Sequence, residues 1–375
     1  MAIPAQISAL FPLLHITGSV TEFTGTARID TPPTGGGGSN YMNGLANTDT
    51  LNGGAGNDYI EGGAGIDVLT GGAGEDTLGF SGASGGVNVT LVAGAVALVT
   101  GTDGVDVALG FENVVGSDHN DTLNGDSPLG SYTGNNVLIG LGGNDTLNGN
   151  GGDDTLVGGL GADVLNGGDG SDTVSYATSG GSVNAHLNGD PNLLGDASGD
   201  TFNSIENLIG SNGTDTLNGN ELNNIIDGGA GSDSINGGFG GVDTLIGGAG
   251  NDLLSQFSVL GSKAVFIGGE GDDGMQPIFG RQGISVFKFE TFNDFSGVDN
   301  IFGFNNNCTI DLSAIDADPS TPGIDDAFHI GGGTGGISIQ QNGSTDTITF
   351  NDHPGMIRVG IASGTPHLTV DDFIL

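Results

Sequence analysis

GGLGADVLNGGDGSDTVS, residues 158–175, is one nine-residue phrase written twice. Each copy opens on paired glycines, places Asp at its sixth position (Asp163, Asp172) and an apolar residue at its eighth (Leu165, Val174). No Lys or Arg lies near enough in sequence to neutralise these acids.

The phrase recurs in three arrays. The first runs GLANTDTLN (44–52), GGAGNDYIE, GGAGIDVLT and GGAGEDTLG (71–79), preceded by the degenerate GGGGSNYMN (35–43). The second opens with GSDHNDTLN (116–124) and resumes at GLGGNDTLN (140–148), ending with the quoted pair. The third runs from GSNGTDTLN (210–218) to GGAGNDLLS (247–255), with one extra residue near Gly241, and a last unit starts at Gly268. Between them, FENVVGS (111–117) and IENLIGS (205–211) are near-copies, each preceded by an alternating stretch, GVNVTL (86–91) or GSVNAHL (181–187). Such alternation reads as strand.

A nine-residue period cannot serve a helix. Nine residues turn through about 900°, so successive eighth-position residues would face opposite sides. They can all face inward if each nonad is a short strand plus a tight turn and two nonads complete one coil. The expected fold is therefore all-β, a parallel β-roll or β-solenoid of glycine-rich nonads with a C-terminal β-rich cap. The expected organisation is a strand-like extension (1–34), array one (35–79), spacer strands (80–115), array two (116–179), spacer strands (180–209), array three (210–284) and the cap (285–375). No amphipathic helix of useful length is expected. In the last segment GISIQQNGSTDTITF alternates around NGS, a hairpin signal.

Composition narrows the function. The chain has 375 residues with 77 Gly, no Trp, and 45 acidic against 5 basic residues, a formal net charge of −40. That charge argues against nucleic acid or an anionic membrane surface as partner. Cys308 is the only cysteine, which leaves no internal disulfide. No run approaches the roughly 18 apolar residues of a membrane-spanning helix. ISALFPLL (7–14) has no basic residue before it, a poor Sec signal.

In a two-nonad coil, Asp163 stacks over Asp145 and Asp172 over Asp154, about 4.8 Å apart. Two carboxylates at such a distance repel by about 1 kcal/mol in water and roughly 3–4 kcal/mol at an effective dielectric of ~20. Repeated along an edge, that cost demands a dication. Carboxylate and carbonyl oxygens are hard ligands, and six or more suit Ca²⁺ better than Mg²⁺, while Zn²⁺ wants the His or Cys these turns lack.

These nonads resemble GGxGxDxUx, the calcium-binding repeat of RTX (haemolysin-type) proteins, from about residue 35 to the end. The resemblance implies Ca²⁺ held between loops n and n+2 by the repeat's Asp and by turn carbonyls. The acids so implied are Asp49, Asp58, Asp67 and Asp76 in the first array and Asp121, Asp145, Asp154, Asp163 and Asp172 in the second. In the third they are Asp215, Asp233, Asp243 and Asp252, followed by Asp273. The turn glycines are Gly53, Gly56, Gly62, Gly65, Gly71, Gly74, Gly158, Gly161, Gly167, Gly170, Gly228, Gly231, Gly247 and Gly250. Asn40 and Asn224 stand at the Asp position, which implies weaker sites, and the insertion at Gly241 unsettles the register of Asp243. VFKFETFNDFSGVDNIFGF, IDLSAID and LTVDDFIL resemble the ends of type I secretion substrates, which implies export by that machinery on an uncleaved C-terminal signal.

No catalytic motif accompanies the repeats. HExxH is missing, which excludes the family's zinc protease branch. GASGG (82–86) formally fits GxSxG at Ser84, but a nucleophile elbow needs a helix after it. Lys263 and Lys288, the only lysines, do not fit an acylated pore-forming toxin. The expectation is a non-enzymatic, secreted calcium-binding structural protein, a surface-layer, matrix or filament subunit that self-associates without entering a membrane. The alternatives are an RTX adhesin or carbohydrate-binding module, and a secreted hydrolase. HITGSVTEFTGTARID (15–30) alternates like a free strand that either joins a neighbouring protomer or covers its own roll.

Overall fold

The computed structural model describes residues 5–16, 21–24, 37–101, 103–129, 133–257, 262–277, 283–289, 298–305, 307–313, 329–330, 336–342, 344–350, 356–361, 368 and 372–374. The chain divides into two units, residues 1–178 with 191–205, and residues 179–190 with 206–375.

In the first unit consecutive nonads alternate between two parallel sheets. One carries Thr21–Thr24, Asn40–Asn43, Tyr59–Glu61, Thr77–Gly79, Asn113–Val115, Val137–Gly142, Thr155–Leu160 and Thr173–Ser175. The other carries Thr50–Ala55, Val68–Ala73, the first spacer, Thr122–Asn124, Thr146–Gly151, Val164–Asp169 and Thr201–Asn203. The register is that of two nonads per coil: Leu147 faces Leu165 and Leu156 faces Val174. All four are fully buried, so the eighth positions form the core.

The spacers do not leave the roll. Val87–Thr90, Val96–Gly101 and Gly104–Leu109 form an antiparallel meander whose outer strands pair in parallel with Thr122–Asn124 and Val68–Ala73. Asn113–Val115 sits between Thr77–Gly79 and Val137–Gly142, with Val114 opposite both Leu78 and Leu138.

The N-terminal extension departs from a pure strand. Thr21–Thr24 pairs in parallel with Asn40–Asn43, but Ala5–Leu10 is helical. Ile7, Leu10, Leu14 and Ile16 bury against Tyr41, Tyr59, Val115, Ile139 and Val157 on the roll's outer surface. Val115, Ile139 and Val157 are ninth-position residues, apolar here where the other sheet carries Asn124, Asn148 and Asn166. His15 anchors the end of this segment: its carbonyl accepts from Asn57 Nδ2 at 3.1 Å, and its Nδ1 lies 2.6 Å from Glu75 Oε2.

The second unit repeats the scheme. One sheet runs Asn207–Ile209, Ile225–Asp227, Val242–Ala249, Lys263–Glu270, Ile284–Lys288, Cys308–Asp311 and Phe373–Ile374. The other starts at Asn184–His186 and Thr216–Asn218 and passes through Ser234–Phe239, Leu253–Phe257, Gly274–Gln276 and Val298–Phe304. Its end is antiparallel: Gly336–Asn342 pairs with Thr345–Phe350, and that strand with Met356–Ile361. Toward this end Phe replaces Leu in the core, with Phe266 and Phe287 stacked at 5.1 Å between ring centroids. Of the segments resembling a secretion signal, residues 290–297, 314–316, 369–371 and 375 lie outside the described residues.

Truncating an eighth-position core residue leaves a cavity that a repeat locked to its neighbours cannot close. Leu156→Ala is expected to lower stability in saturating calcium by about 2–5 kcal/mol, measured by urea unfolding.

Candidate metal centre

Each sixth-position Asp sits where the turn re-enters the strand, and its carboxylate is divided between two tasks. One oxygen, Oδ1, accepts the backbone N–H of the sixth residue one coil earlier. Asp145 N–H donates to Asp163 Oδ1 and Asp154 N–H to Asp172 Oδ1, both at 2.8 Å. The structure thus brings together the pairs that the two-nonad coil requires.

These bonds run in files. In the first unit one file is Asn40, Asp58, Asp76, then Glu112, whose Oε2 accepts from Asp76 N–H at 2.9 Å. It resumes from Asn136 through Asp154 to Asp172. On the opposite edge Asp49 donates to Asp67 and Asp67 to Asp106. Farther along, Val87 donates to Asp121, which donates to Asp145, then Asp163, then Asp200. In the second unit the file is Val183, Asp215, Asp233, Asp252, Asp273 and Asp299.

Asp106, Glu112, Asp200 and Asp299 were missed by motif reading, since none is preceded by the paired glycines that open a nonad; Gly101 and Gly104 before Asp106, Gly110 before Glu112, Gly195 before Asp200 and Gly297 before Asp299 are the glycines kept in phase. Their signal is such a partial glycine pattern together with an acid followed two places later by the residue in register with the core ladder: Asp106 with Ala108, Glu112 with Val114, Asp200 with Phe202, Asp299 with Ile301.

The second oxygen, Oδ2, of Asp58, Asp67, Asp76, Asp145, Asp154, Asp163, Asp233 and Asp252 is buried and meets no hydrogen-bond donor. Such atoms are costly unless something electropositive faces them. The first glycine of each nonad is the reason they fit at all. A Cβ on Gly158 would run into Asp163 Oδ2, and one on Gly149 into Asp154 Oδ2. The same holds for Gly53, Gly62, Gly71, Gly167, Gly228 and Gly247 against the Asp of their own turns. The fourth-position glycines serve the backbone. Gly161 and Gly170 have φ of 148° and 149°, and a Cβ there would strike the carbonyls of Gly143 and Gly152 one coil away. Gly56, Gly65, Gly74, Gly231 and Gly250 make the same close approach to a neighbouring turn.

Electrostatics follow from burial without counter-charge. Desolvation pushes the Asp145 carboxyl up to about 8, opposed by the Asp121 N–H and aided by the nearby Asp163 charge. Asp154, Asp76, Asp233 and Asp200 rise to about 7, and Asp67 and Asp252 to about 6, again chiefly by burial. Asp200 also accepts the Tyr176 hydroxyl at 2.7 Å.

Among the described residues no three His, Cys, Asp or Glu side chains converge as a side-chain metal cluster. The donor set fits a hard cation differently: orphaned carboxylate oxygens from turns n and n+2, completed by turn carbonyls left open by glycine. The two files of the first unit and the Asp215–Asp299 file of the second would hold the ions. Asp243 lies outside these files, and Asn40 and Asn224 present amides in place of carboxylates.

A roll so built is a calcium-binding β-roll. The family model of the RTX calcium-binding nonapeptide repeat matches residues 34–69, 52–79, 132–165, 149–177, 209–241 and 238–255, so the chain carries RTX-type repeats over those stretches. No curated protein matches the chain. Among solved structures it is similar to the extracellular lipase LipA from Serratia marcescens, at 14% identity and a TM-score of 0.24. That match covers 91% of this chain and 39% of the lipase chain, so the chain spans well under two thirds of that protein.

A carboxyl whose folded pKa is raised stabilises the fold below its unfolded value and loses that contribution as pH rises through the folded one. In chelator, β-structure should therefore increase as pH falls from 8 toward 5, measured by circular dichroism. Asp145→Asn should raise the calcium concentration at half-folding by about tenfold, equivalent to ~1.4 kcal/mol, and should increase residual structure in chelator at pH 8.

Proposed function

We propose that this is a secreted calcium-binding structural protein, folded by extracellular Ca²⁺ and acting as a subunit of a surface layer, matrix or filament rather than as an enzyme. The observation that carries the reading is the run of buried carboxylates whose second oxygens, on Asp58, Asp67, Asp76, Asp145, Asp154, Asp163, Asp233 and Asp252, meet no donor among the described residues. With 45 acidic and 5 basic residues, the chain cannot neutralise these files itself. Where calcium is scarce, the files repel and the chain stays unfolded and exportable. Where calcium is abundant, binding free energy becomes folding free energy. Each site at a hundredfold excess over its Kd adds ~2.7 kcal/mol, so a few sites match a typical domain's whole stability of about 5–15 kcal/mol.

Export by type I machinery accords with the C-terminal resemblance, and no described helix is long and apolar enough to cross a membrane. Self-association is supported by apolar side chains on the outside of the roll. Val105, Val107 and Leu109 alternate outward along Gly104–Leu109, flanked by exposed Val68 and Val96 on the paired strands. Phe239 and Phe257 stack at 5.0 Å while each remains about half exposed. Contiguous exposed apolar surface of this kind marks an interface.

One observation favours an adhesin or carbohydrate-binding module instead. The meander and the first array enclose a cavity of about 300 Å³ lined by Asn43, Glu61, Ser84, Asp103 and Asp106 with Phe80 and Val99. Polar groups on an apolar floor suit a small polyhydroxylated ligand.

Circular dichroism should show random coil in chelator and β-structure after calcium is added; equal spectra would refute calcium-driven folding. Electron microscopy of the calcium-loaded protein should show ordered assemblies that Val107→Asp with Leu109→Asp abolishes. Lasting monomers that retain on a glycan array would favour the binding module.

A further inference from the structure

The two edges of the second unit are not equivalent. One carries the unbroken acid file Asp215, Asp233, Asp252, Asp273, Asp299. On the other, the strand register aligns Asp243 with Ala264 and Ala264 with Ser285. The preceding coil supplies Asn224, whose N–H donates to Asp243 Oδ1 at 2.9 Å. Asp243 therefore has no acid at the same register position in the neighbouring coil on either side.

The space beside it is filled by the protein. Gln256 follows Ser255, where a new nonad would place its first glycine, and it is 3% exposed. Its Nε2 donates to the carbonyls of Gly240 at 3.0 Å and Gly238 at 3.3 Å, the turn oxygens of the Asp243 nonad. A Cβ on Gly237 would meet both Gln256 Oε1 and Asp243 Oδ2, so the amide occupies the pocket that elsewhere holds the carboxylate alone, although neither of these two oxygens receives a hydrogen bond. Asn224 behaves alike, its Nδ2 donating to the Glu206 carbonyl at 2.7 Å and to Asn220 Oδ1 at 3.1 Å. In the first unit, Asn40 Nδ2 reaches the Gly38 carbonyl at 2.8 Å, the Gly53 carbonyl at 3.2 Å and Asp58 Oδ1 at 2.7 Å. In each case amide hydrogens point at oxygens that a cation would otherwise face.

We propose that the Gln256 carboxamide replaces the metal at the Asp243 turn, so that this edge binds no calcium from Asn224 to Ser285 and the second unit loads cations along its Asp215–Asp299 edge only. A primary amide offers two donors and no net charge, so it satisfies turn carbonyls without requiring a second carboxylate. In the folded chain this edge is closed by hydrogen bonds, while the opposite one is closed by ions.

The proposal rests on calcium binding by the acid files, and the experiment separates the two. Calcium bound per full-length chain is measured by isothermal titration and equilibrium dialysis for the wild type, Asp243→Asn and Asp252→Asn, with circular dichroism to verify folding in calcium. The expected result is an unchanged count for Asp243→Asn and a loss of at least one equivalent for Asp252→Asn. A wild type that binds no calcium would refute the underlying reading, whereas a lost equivalent in Asp243→Asn overturns this proposal alone. Should Asp243→Asn fail to fold, wild-type crystals grown with calcium decide the matter by anomalous scattering. Peaks between Asp233 and Asp252 but none beside Gly238 and Gly240 support the proposal, and a peak beside those two carbonyls overturns it.

Discussion

The bond on which this molecule depends joins a backbone N–H to the Oδ1 of an aspartate one coil later. It sets the spacing of the turns, holds the strands at a two-nonad register and draws every sixth-position acid into the interior. At Asp145 and Asp154 the carboxylate no longer faces bulk water and burial outweighs the N–H it receives, which is why these carboxyls are displaced so far upward. The glycines are subordinate to this bond. Gly158 is glycine because Asp163 occupies the volume of its side chain, and Gly161 because the Gly143 carbonyl does.

Much of this is legible in the sequence. A nine-residue period with an inward residue two places after each acid excludes a helix and admits a stacked roll, and the pairing of Asp163 with Asp145 follows from two nonads per coil. Three things were not legible. Glu112 and Asp200 join the acid files from spacers that lack the paired opening glycines and keep only Gly110 or Gly195 in phase, because the strand half of the nonad places an acid once neighbouring coils set the register. The helix Ala5–Leu10 is six residues long, too short to show an apolar period, and it forms because Val115, Ile139 and Val157 offer it an apolar seat. Gln256 follows a complete nonad with nothing in its immediate sequence to single it out. Only the insertion at Gly241 hinted that the neighbouring turn was irregular, and the hydrogen bonds to Gly238 and Gly240 come from tertiary placement.

Two means of closing a turn therefore coexist in one architecture. Where acids stack on acids, the turn is completed by something from solution, and its stability follows composition of the medium. Where Asn40, Asn224 or Gln256 intervenes, the turn is completed internally. The division is set by single residues against a constant backbone, so an edge can be moved from one class to the other without altering the coil. The core is kept across both classes, even where the strand register shifts between Asn236 and Phe239, because the eighth-position ladder, Leu147 on Leu165 and its equivalents, does not depend on what closes the turn.

The files also have a polarity. In each bond the donor belongs to the earlier coil and the acceptor to the later one, as with Asp121, Asp145, Asp163 and Asp200 in succession. A stack interrupted between coils would thus expose unlike faces, bare backbone donors on the side toward the N-terminus and vacant carboxylate acceptors on the other. Growth by addition of coils is vectorial: each new coil supplies the acceptors that its predecessor lacks and leaves its own donors for the next. A β-roll built this way has a head and a tail at the level of single hydrogen bonds, as an actin-like polymer has at the level of subunits.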